Sequence, residues 1–192
     1  PYEQKKQIHA LNGGGMLRAR SEEHTMNKWI ELLKNNDLIG VKKYIKEGAD
    51  VNESTETGES VLASALRHGC DFDLVMFLVD NGADIYDFDE EGVGIFDMAV
   101  TYNSIDMVKY MISKGFDVNR TNRKSRFTPL MAAACYGRTE IAKLLIEHGA
   151  DKNAVDIKGI SVIDFARKTN RKSILLLLDY DENAPKNTNY AR

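Results

Sequence analysis

The chain has 192 residues, of which 43% are apolar and 29% charged, with 26 Lys and Arg against 29 Asp and Glu. This composition is typical of a soluble folded protein, and the charge balance argues against a general nucleic-acid binder, which needs a concentrated basic surplus. No apolar run approaches the ~20 residues that span a bilayer. The two cysteines, Cys70 and Cys135, cannot form a disulfide framework and indicate a reducing, cytoplasmic environment.

Residues 1–15 differ from the rest of the chain. The triplet Gly13-Gly14-Gly15 has the composition of a flexible linker and precedes Met16, a candidate initiator. One interpretation is an engineered joint in which the segment Pro1–Asn12 is a tethered partner peptide. The other is a natural N-terminal arm or vector-derived residues, and the sequence leaves both open. Because the segment lacks an apolar stretch of signal-peptide type, we do not expect secretion.

From about residue 22 onward the sequence repeats with a period of 33 or 34 residues. The repeating positions form three series: glycines at 48, 82, 115 and 149; Leu62, Phe96, Leu130 and Ile163; and Ala65, Ala99, Ala133 and Ala166. A period of this length indicates an array of short structural repeats.

Residues 127–149 show what one repeat contains. Thr128 predicts a helix N-cap, Pro129 suits the first helical position, and Gly137 predicts the end of that helix. A second helix is predicted from Glu140 to His148 and is closed by Gly149. The caps expected in other repeats are Ser60, Ser161 and, more weakly, Gly94. A helix pair this small must stack on neighbours to bury its apolar face.

This pattern resembles the ankyrin repeat, which has a hairpin, a T-P-L-H helix start and a second helix that ends in G-A-D-V-N. The resemblance implies an all-α ankyrin-repeat solenoid of stacked helix-turn-helix units with hairpin loops. We predict one such domain, residues 16–180, followed by a flexible C-terminal tail, residues 181–192. Its five repeats are expected at about 22–52, 55–86, 89–119, 123–153 and 156–180.

Three repeats depart from the family pattern. The second carries one extra residue around Cys70 and Asp71, which predicts a distorted turn between its helices. The third has Val-Gly-Ile-Phe in place of T-P-L-H, which predicts a weaker cap. The fifth lacks the closing glycine motif, as expected of a terminal repeat.

No group of residues predicts catalysis, a cofactor or a metal. The candidate metal ligands are His68, Cys70, Asp71 and Asp73, but their spacing is poor for zinc and we interpret them as a distorted turn. Cys135 and His148 fall on different predicted helices with no third group, so a nucleophilic pair is not expected. Glycine-rich nucleotide-binding motifs are absent from the sequence.

The resemblance also implies a concave groove formed by hairpin tips and the exposed ends of the first helices. The binding residues predicted on the tips are Glu56, Glu59, Glu90, Glu91, Lys124 and Phe127, and those on the first helices are Arg67, His68, Thr101, Tyr102, Cys135 and Tyr136. Tyr102 and Tyr136 occupy equivalent positions in adjacent repeats, so we expect them to stand side by side as anchors together with Phe127.

Charge is sorted along the hairpins. The first three are acidic, whereas residues 120–126 contain Arg120, Arg123, Lys124 and Arg126. A groove that is acidic in its N-terminal half and basic further along would select an extended partner of opposite polarity. Lys5 and Lys6 of the N-terminal segment would suit the acidic part.

The sequence therefore predicts a non-catalytic cytoplasmic module that binds a protein segment, an extended peptide, in its concave groove. Nucleic acid, membrane, metal and cofactors are not expected as partners, and the segment Pro1–Asn12 is one candidate ligand. The alternative is an inhibitor or chaperone-like protein that covers the surface of one enzyme.

Overall fold

A computed structural model describes residues 26–180 of the chain, which fall into two compact units, residues 26–84 and 85–180. The predicted linker segment 1–15 and tail 181–192 lie outside the described residues. Within the described range, ten helices occur as five consecutive pairs, with hairpin loops between pairs. The expected all-α architecture of helix-turn-helix repeats is confirmed.

The helices are named here in chain order. In the N-terminal unit they are α1 (residues 26–34), α2 (Leu38–Lys46), α3 (Val61–Arg67) and α4 (Phe72–Asp80). In the C-terminal unit they are α5 (Ile95–Thr101), α6 (Ile105–Ser113), α7 (Pro129–Tyr136), α8 (Thr139–Glu147), α9 (Val162–Lys168) and α10 (Lys172–Leu177).

The predicted helix caps are present. The Thr128 hydroxyl accepts a hydrogen bond from the backbone N–H of Met131 at 3.3 Å, Pro129 is the first helical residue, and Gly137 ends α7 with a φ of 71°. Side-chain oxygens of Ser60 and Ser161 cap α3 and α9 in the same way. The second helix of this repeat begins and ends one residue earlier than predicted, because His148 forms its C-cap.

The cap of the third repeat is reinforced from within its own helix. Gly94 has no side chain to offer, but the carboxylate of Asp97 accepts a hydrogen bond from the Gly94 N–H at 3.1 Å. This bond supplies part of what a Ser or Thr cap provides elsewhere, which offsets the weakness predicted from the sequence.

Every first helix is followed by a residue in the left-handed conformation. These residues are Asn36, Gly69, Asn103, Gly137 and Asn170, with φ between 49° and 71°. Asparagine tolerates this conformation better than other non-glycine residues, so three of the five helix ends use it. In the first four repeats the second helix is followed by a left-handed glycine. In the fifth repeat Asp179, with φ of 55°, takes that position.

The turn between α3 and α4 holds the extra residue of the second repeat, next to Cys70. The thiol of Cys70 is buried and donates a hydrogen bond to the carbonyl oxygen of Leu33 in the first repeat, with a sulfur–oxygen distance of 3.2 Å. Burial raises the pKa of the Cys70 thiol to about 11. The turn is one residue longer than the other turns of this kind, and the Cys70 thiol joins two repeats.

The core follows the repeated series. Ala65, Ala99, Ala133 and Ala166 are fully buried. Their small side chains allow α5, α7 and α9 to pack closely in the C-terminal unit. In the first repeat Trp29 is fully buried and lies 5.0 Å from the Tyr44 ring, which confirms its interpretation as core.

Asparagine side chains tie consecutive loops together within each unit. The Asn52 amide donates to the Gly82 carbonyl at 2.9 Å and accepts from the backbone N–H of Asp84. Asn119 makes the same two bonds, to the Gly149 carbonyl and from the Asp151 N–H. Loop-to-loop spacing is therefore set by paired hydrogen bonds as well as by apolar packing.

Candidate binding surface

The hairpins of the C-terminal unit contact one another in chain order. Gly92 packs so closely on the fourth-repeat hairpin that a Cβ there would lie 2.6 Å from the carbonyl carbon of Asn122. The N–H of Ile157 donates to the carbonyl of Ser125 at 2.8 Å. The three tips, residues 89–93, 123–127 and 156–160, thus form one continuous strip, called here the tip edge.

Two of these tips are built by aspartates that face inward. Asp89 accepts hydrogen bonds from the N–H groups of Glu91 and Val93, both at 2.9 Å. Asp156 accepts from those of Lys158 and Ile160, both at 2.8 Å. The aspartates thus accept hydrogen bonds from the backbone N–H groups of the turn. The side chains of these tips that are exposed to solvent are those of Glu90, Glu91, Ile157 and Lys158.

The fourth-repeat tip is built differently. Arg123 replaces the aspartate, and its Nε lies 3.3 Å from Oδ1 of Asp97 while its guanidinium sits over the Phe127 ring. Only 18% of the Arg123 side chain and 7% of the Asp97 side chain are exposed. Burial raises the pKa of Asp97, and the Arg123 charge and the Gly94 N–H oppose this only in part. Arg123 therefore belongs to the fold and not, as the sequence suggested, to a basic surface.

The remaining charges of the tip edge have no ionic partner among the described residues. The acidic pair is Glu90 and Glu91, and the exposed basic group consists of Lys124, Arg126 and Lys158. In the C-terminal unit, ion pairs form instead at Asp97–Arg123 and on the second helices and the last loop.

The two predicted tyrosine anchors lie at the ends of adjacent first helices. Tyr102 follows α5 and is 39% exposed, and Tyr136 is the last residue of α7 and is 46% exposed. Neither ring takes part in the aromatic contacts of the described residues. Thr101 and Cys135, which precede them, are half-buried.

Phe127 is a less accessible anchor than the sequence suggests. Its ring is half-buried and meets the Phe165 ring edge-on, with centroids 5.1 Å apart and an interplanar angle of 89°. Much of its surface holds the fourth hairpin on α9, so Tyr102 and Tyr136 offer more free aromatic area.

The predicted site residues of the N-terminal unit divide into free and engaged side chains. Glu56 is exposed at its hairpin tip. Glu59 turns back, with Oε1 2.8 Å from Nε of Arg67, and accepts a hydrogen bond from the Ser64 hydroxyl. His68 is half-buried, and burial together with the charges of Arg67 and Lys34 lowers its pKa. Glu59 and Arg67 are thus already engaged with each other.

The chemical candidates weighed from the sequence do not converge on a site. Among residues 26–180, no three His, Cys, Asp or Glu side chains lie close enough to hold a metal ion. The Nδ1 atom of His148 lies 2.8 Å from the Leu144 carbonyl of its own helix. A cleft of about 30 Å³ is lined by Tyr86, Phe116, Arg120 and neighbouring residues, which is room for about two water molecules.

Over the described range, no helix is both long enough and apolar enough to cross a bilayer.

Helix pairs with hairpin tips and exposed first-helix ends define the class of repeat proteins that present a surface and not a pocket. Family models of ankyrin repeats match residues 30–122, as three copies, and residues 125–157. Since these matches cover more than half of the chain, the protein belongs to the ankyrin-repeat family. Ankyrin repeats generally mediate protein–protein interaction and are typically non-catalytic.

Curated relatives contain this region as a small part of much longer chains. The chain is 29% identical over 179 residues to the palmitoyltransferase AKR1 of Lachancea kluyveri, covering 90% of this chain and 24% of the relative. It is 33% identical over 108 residues to the E3 ubiquitin-protein ligase hecd-1 of Caenorhabditis elegans, covering 56% and 4%. With the palmitoyltransferase ZDHHC13 of Homo sapiens the identity is 34% over 105 residues, covering 55% and 17%. The chain therefore spans less than a quarter of the length of these relatives.

Proposed function

We propose that this chain is a non-catalytic module that binds a protein segment, an extended peptide, along its hairpin tips and first-helix ends. The observation that carries the proposal is the exposure of Tyr102 and Tyr136 on neighbouring helices of a unit whose tip edge carries charges that pair with no other described residue. Tyrosine supplies a large contact area with little side-chain entropy to lose, and it is enriched at interface hot spots.

The relatives support a binding role without fixing a partner. In the palmitoyltransferases and the ubiquitin ligase, the matched region is a small part of an enzyme. We assign to this chain the role for which stacked repeats are suited, which is to hold another protein on a preformed surface. The free thiols Cys70 and Cys135 fit a cytoplasmic setting for this role.

Site-specific photo-cross-linking tests the proposal directly. The photoreactive amino acid p-benzoylphenylalanine replaces Tyr136 in the full chain, and cross-linked proteins are identified after irradiation in a cell extract. The matched control carries the same group at Leu176, which is 77% exposed on the second helix α10. We expect one protein to be captured from position 136 and, separately, from position 102, but not from position 176. Equal capture from all three positions would contradict the proposal.

The same cross-link separates an extended segment from a covered enzyme surface. The captured partner is cut into fragments, and each fragment is tested for binding to the full chain. An extended ligand predicts that a short synthetic fragment around the cross-link retains the affinity. The alternative, an inhibitor or chaperone-like protein, predicts that only the folded partner binds.

The segment Pro1–Asn12 is tested as a ligand by charge reversal in the full chain. If it occupies the surface, Lys5→Glu together with Lys6→Glu should release it and increase cross-linking of the external partner from position 136. An unchanged yield would mean that this segment is not the ligand.

A further inference from the structure

We infer that the partner segment carries an acidic stretch, which is bound at the fourth- and fifth-repeat tips by Lys124, Arg126 and Lys158. The exposed side chain of Ile157 contacts an apolar residue next to that stretch. This inference rests on the proposed function and gives the chemistry of its partner.

Arg126 occupies a position that the other hairpins give to glycine. The corresponding residues, Gly58, Gly92 and Gly159, have φ of 80°, 81° and 77°, and Arg126 has φ of 58°. A residue with a long side chain is strained in this conformation. The Arg126 side chain is exposed and makes no hydrogen bond or ion pair with another described residue. Strain of this kind points to a role in recognition.

The neighbouring arginine has a different role, which the structure explains. Arg123 pairs with Asp97 of the third repeat and covers the Phe127 ring. These contacts fix the fourth hairpin on the repeat before it. The tip that carries Lys124 and Arg126 is therefore held in place before a ligand arrives, which reduces the entropy lost on binding.

The fifth hairpin adds a third cation and an apolar contact. The Ile157 N–H donates a hydrogen bond to the Ser125 carbonyl at 2.8 Å. This bond places the fourth and fifth tips side by side. Lys158 is exposed next to Ile157, a residue that is 64% exposed. Unpaired arginine and lysine side chains around an apolar residue suit carboxylates flanking an aliphatic or aromatic side chain.

The adjacent third tip argues for a peptide instead of a nucleic acid. Glu90 and Glu91 are exposed there, and Gly92 packs directly on the fourth hairpin. A continuous polyanion that reached Arg126 and ran along the tip edge would meet these carboxylates. The chain as a whole has a formal charge of −3. A peptide can place basic or neutral residues beside the two glutamates and acidic residues beside Arg126.

Selection from a random peptide library tests the inference without a known ligand. A phage-displayed library of 12-residue peptides is panned against the full chain and against a variant with Lys124→Glu, Arg126→Glu and Lys158→Glu. We expect peptides selected on the natural chain to be enriched in Asp and Glu, and those selected on the variant to lose that enrichment. The same composition on both proteins, or no acidic enrichment, would overturn the inference.

Affinity measurements on the most enriched peptide locate the contact. Fluorescence anisotropy should show that Arg126→Gly raises the Kd about tenfold, whereas Lys143→Ser on α8 changes it less than twofold. A 12-nucleotide single-stranded DNA should not compete with the peptide. Displacement of the peptide by equimolar DNA, or an equal effect of both substitutions, would contradict the inference.

The outcomes also separate this inference from the proposed function. Enriched peptides without acidic character leave peptide binding intact and remove only the inferred chemistry. If no peptide is enriched, the inference fails, and the cross-linking from Tyr102 and Tyr136 decides independently whether a protein is bound.

Discussion

The guanidinium of Arg138 donates two hydrogen bonds to the carbonyl oxygen of Thr101, from Nε at 3.0 Å and from Nη2 at 2.8 Å. This pair joins the turn of the fourth repeat to the end of the first helix in the third, where carbonyl groups have no partner within the helix. In the N-terminal unit the Cys70 thiol makes a comparable bond to the Leu33 carbonyl. Helix ends are thus satisfied by the following repeat.

Replacing Arg138 with Ala should destabilise the chain by about 2 kcal/mol, because a half-buried carbonyl loses two hydrogen bonds from a charged donor. Urea unfolding measures this free energy. The control is Lys143→Ala, which removes only an exposed pair with Glu147 and should cost less than about 0.5 kcal/mol. Equal effects of the two substitutions would show that the Arg138 bonds contribute nothing to stability.

Asp97 should give the protein a distinct pH dependence. Burial raises its pKa above the ordinary value of 3.8, so the native state keeps the proton after the unfolded chain has lost it. Stability is therefore lost as the pH rises from about 3.8 through the raised pKa. We expect the unfolding free energy of the natural chain, minus that of Asp97→Asn, to fall as the pH rises above the ordinary pKa of 3.8.

The Arg123→Met variant gives a second test of the titration of Asp97. Arg123→Met removes the charge that holds the Asp97 pKa down, so the loss of stability with rising pH should become steeper. At pH 7 the variant should be less stable by about 3 kcal/mol, since it leaves a buried carboxylate unpaired. A flat difference curve for both variants would show that Asp97 does not titrate in this range.

Alanine substitutions at Gly92 and Gly159 separate the energetic cost of a left-handed backbone from the cost of steric crowding. Both have positive φ, but a Cβ at Gly159 would meet no atom within 4 Å, whereas one at Gly92 would collide with the Asn122 backbone. Gly159→Ala should cost about 1 kcal/mol, and Gly92→Ala about 2 kcal/mol more because the hairpins must separate. Thermal or urea unfolding gives both values, and equal losses would contradict the close packing of the tips.

Arg126→Gly should stabilise the chain while it weakens binding of an acidic peptide. Relief of the left-handed strain is worth about 1 kcal/mol, or about 3 °C in Tm for a domain of this size. Asn103→Gly is the matched control, because Asn tolerates the same conformation and should gain only a few tenths of a kcal/mol. Calorimetry measures both. Destabilisation by Arg126→Gly would mean that the side chain supports the fold.

The two thiols should react at very different rates. Cys70 is buried, with a pKa raised to about 11, and Cys135 is half-buried at the end of α7. In native protein at pH 8, a disulfide reagent should modify Cys135 first, with Cys70 reacting only after unfolding. The Cys135→Ser variant isolates Cys70. Rapid modification of that variant would contradict the burial of Cys70.

Local chemistry in the sequence was enough to predict much of the fold. Thr128, Pro129 and Gly137 define a helix through residues next to one another, so a cap can be recognised without knowing the tertiary structure. The repeat period was likewise enough to predict the order of the helices. The left-handed Asn36, Asn103 and Asn170 were missed because asparagine is common in loops of every kind, although their spacing matches Gly137.

Contacts between repeats could not be predicted in the same way. Arg123 reads as a surface charge in a basic loop, yet it reaches a carboxylate in the preceding repeat. Glu59 reads as part of an acidic groove and instead pairs with Arg67. Side-chain direction decides these cases, and it depends on how neighbouring repeats pack, which a one-dimensional pattern does not contain.

Hydrogen exchange of the full chain, with and without the peptide selected from the library, tests the central claim of a segment held on hairpin tips and first-helix ends. We predict slower exchange in residues 123–127 and 156–160 and at the end of α7, with no change in the second helix α8. Protection confined to second helices, or absent at a saturating peptide concentration, would contradict the account.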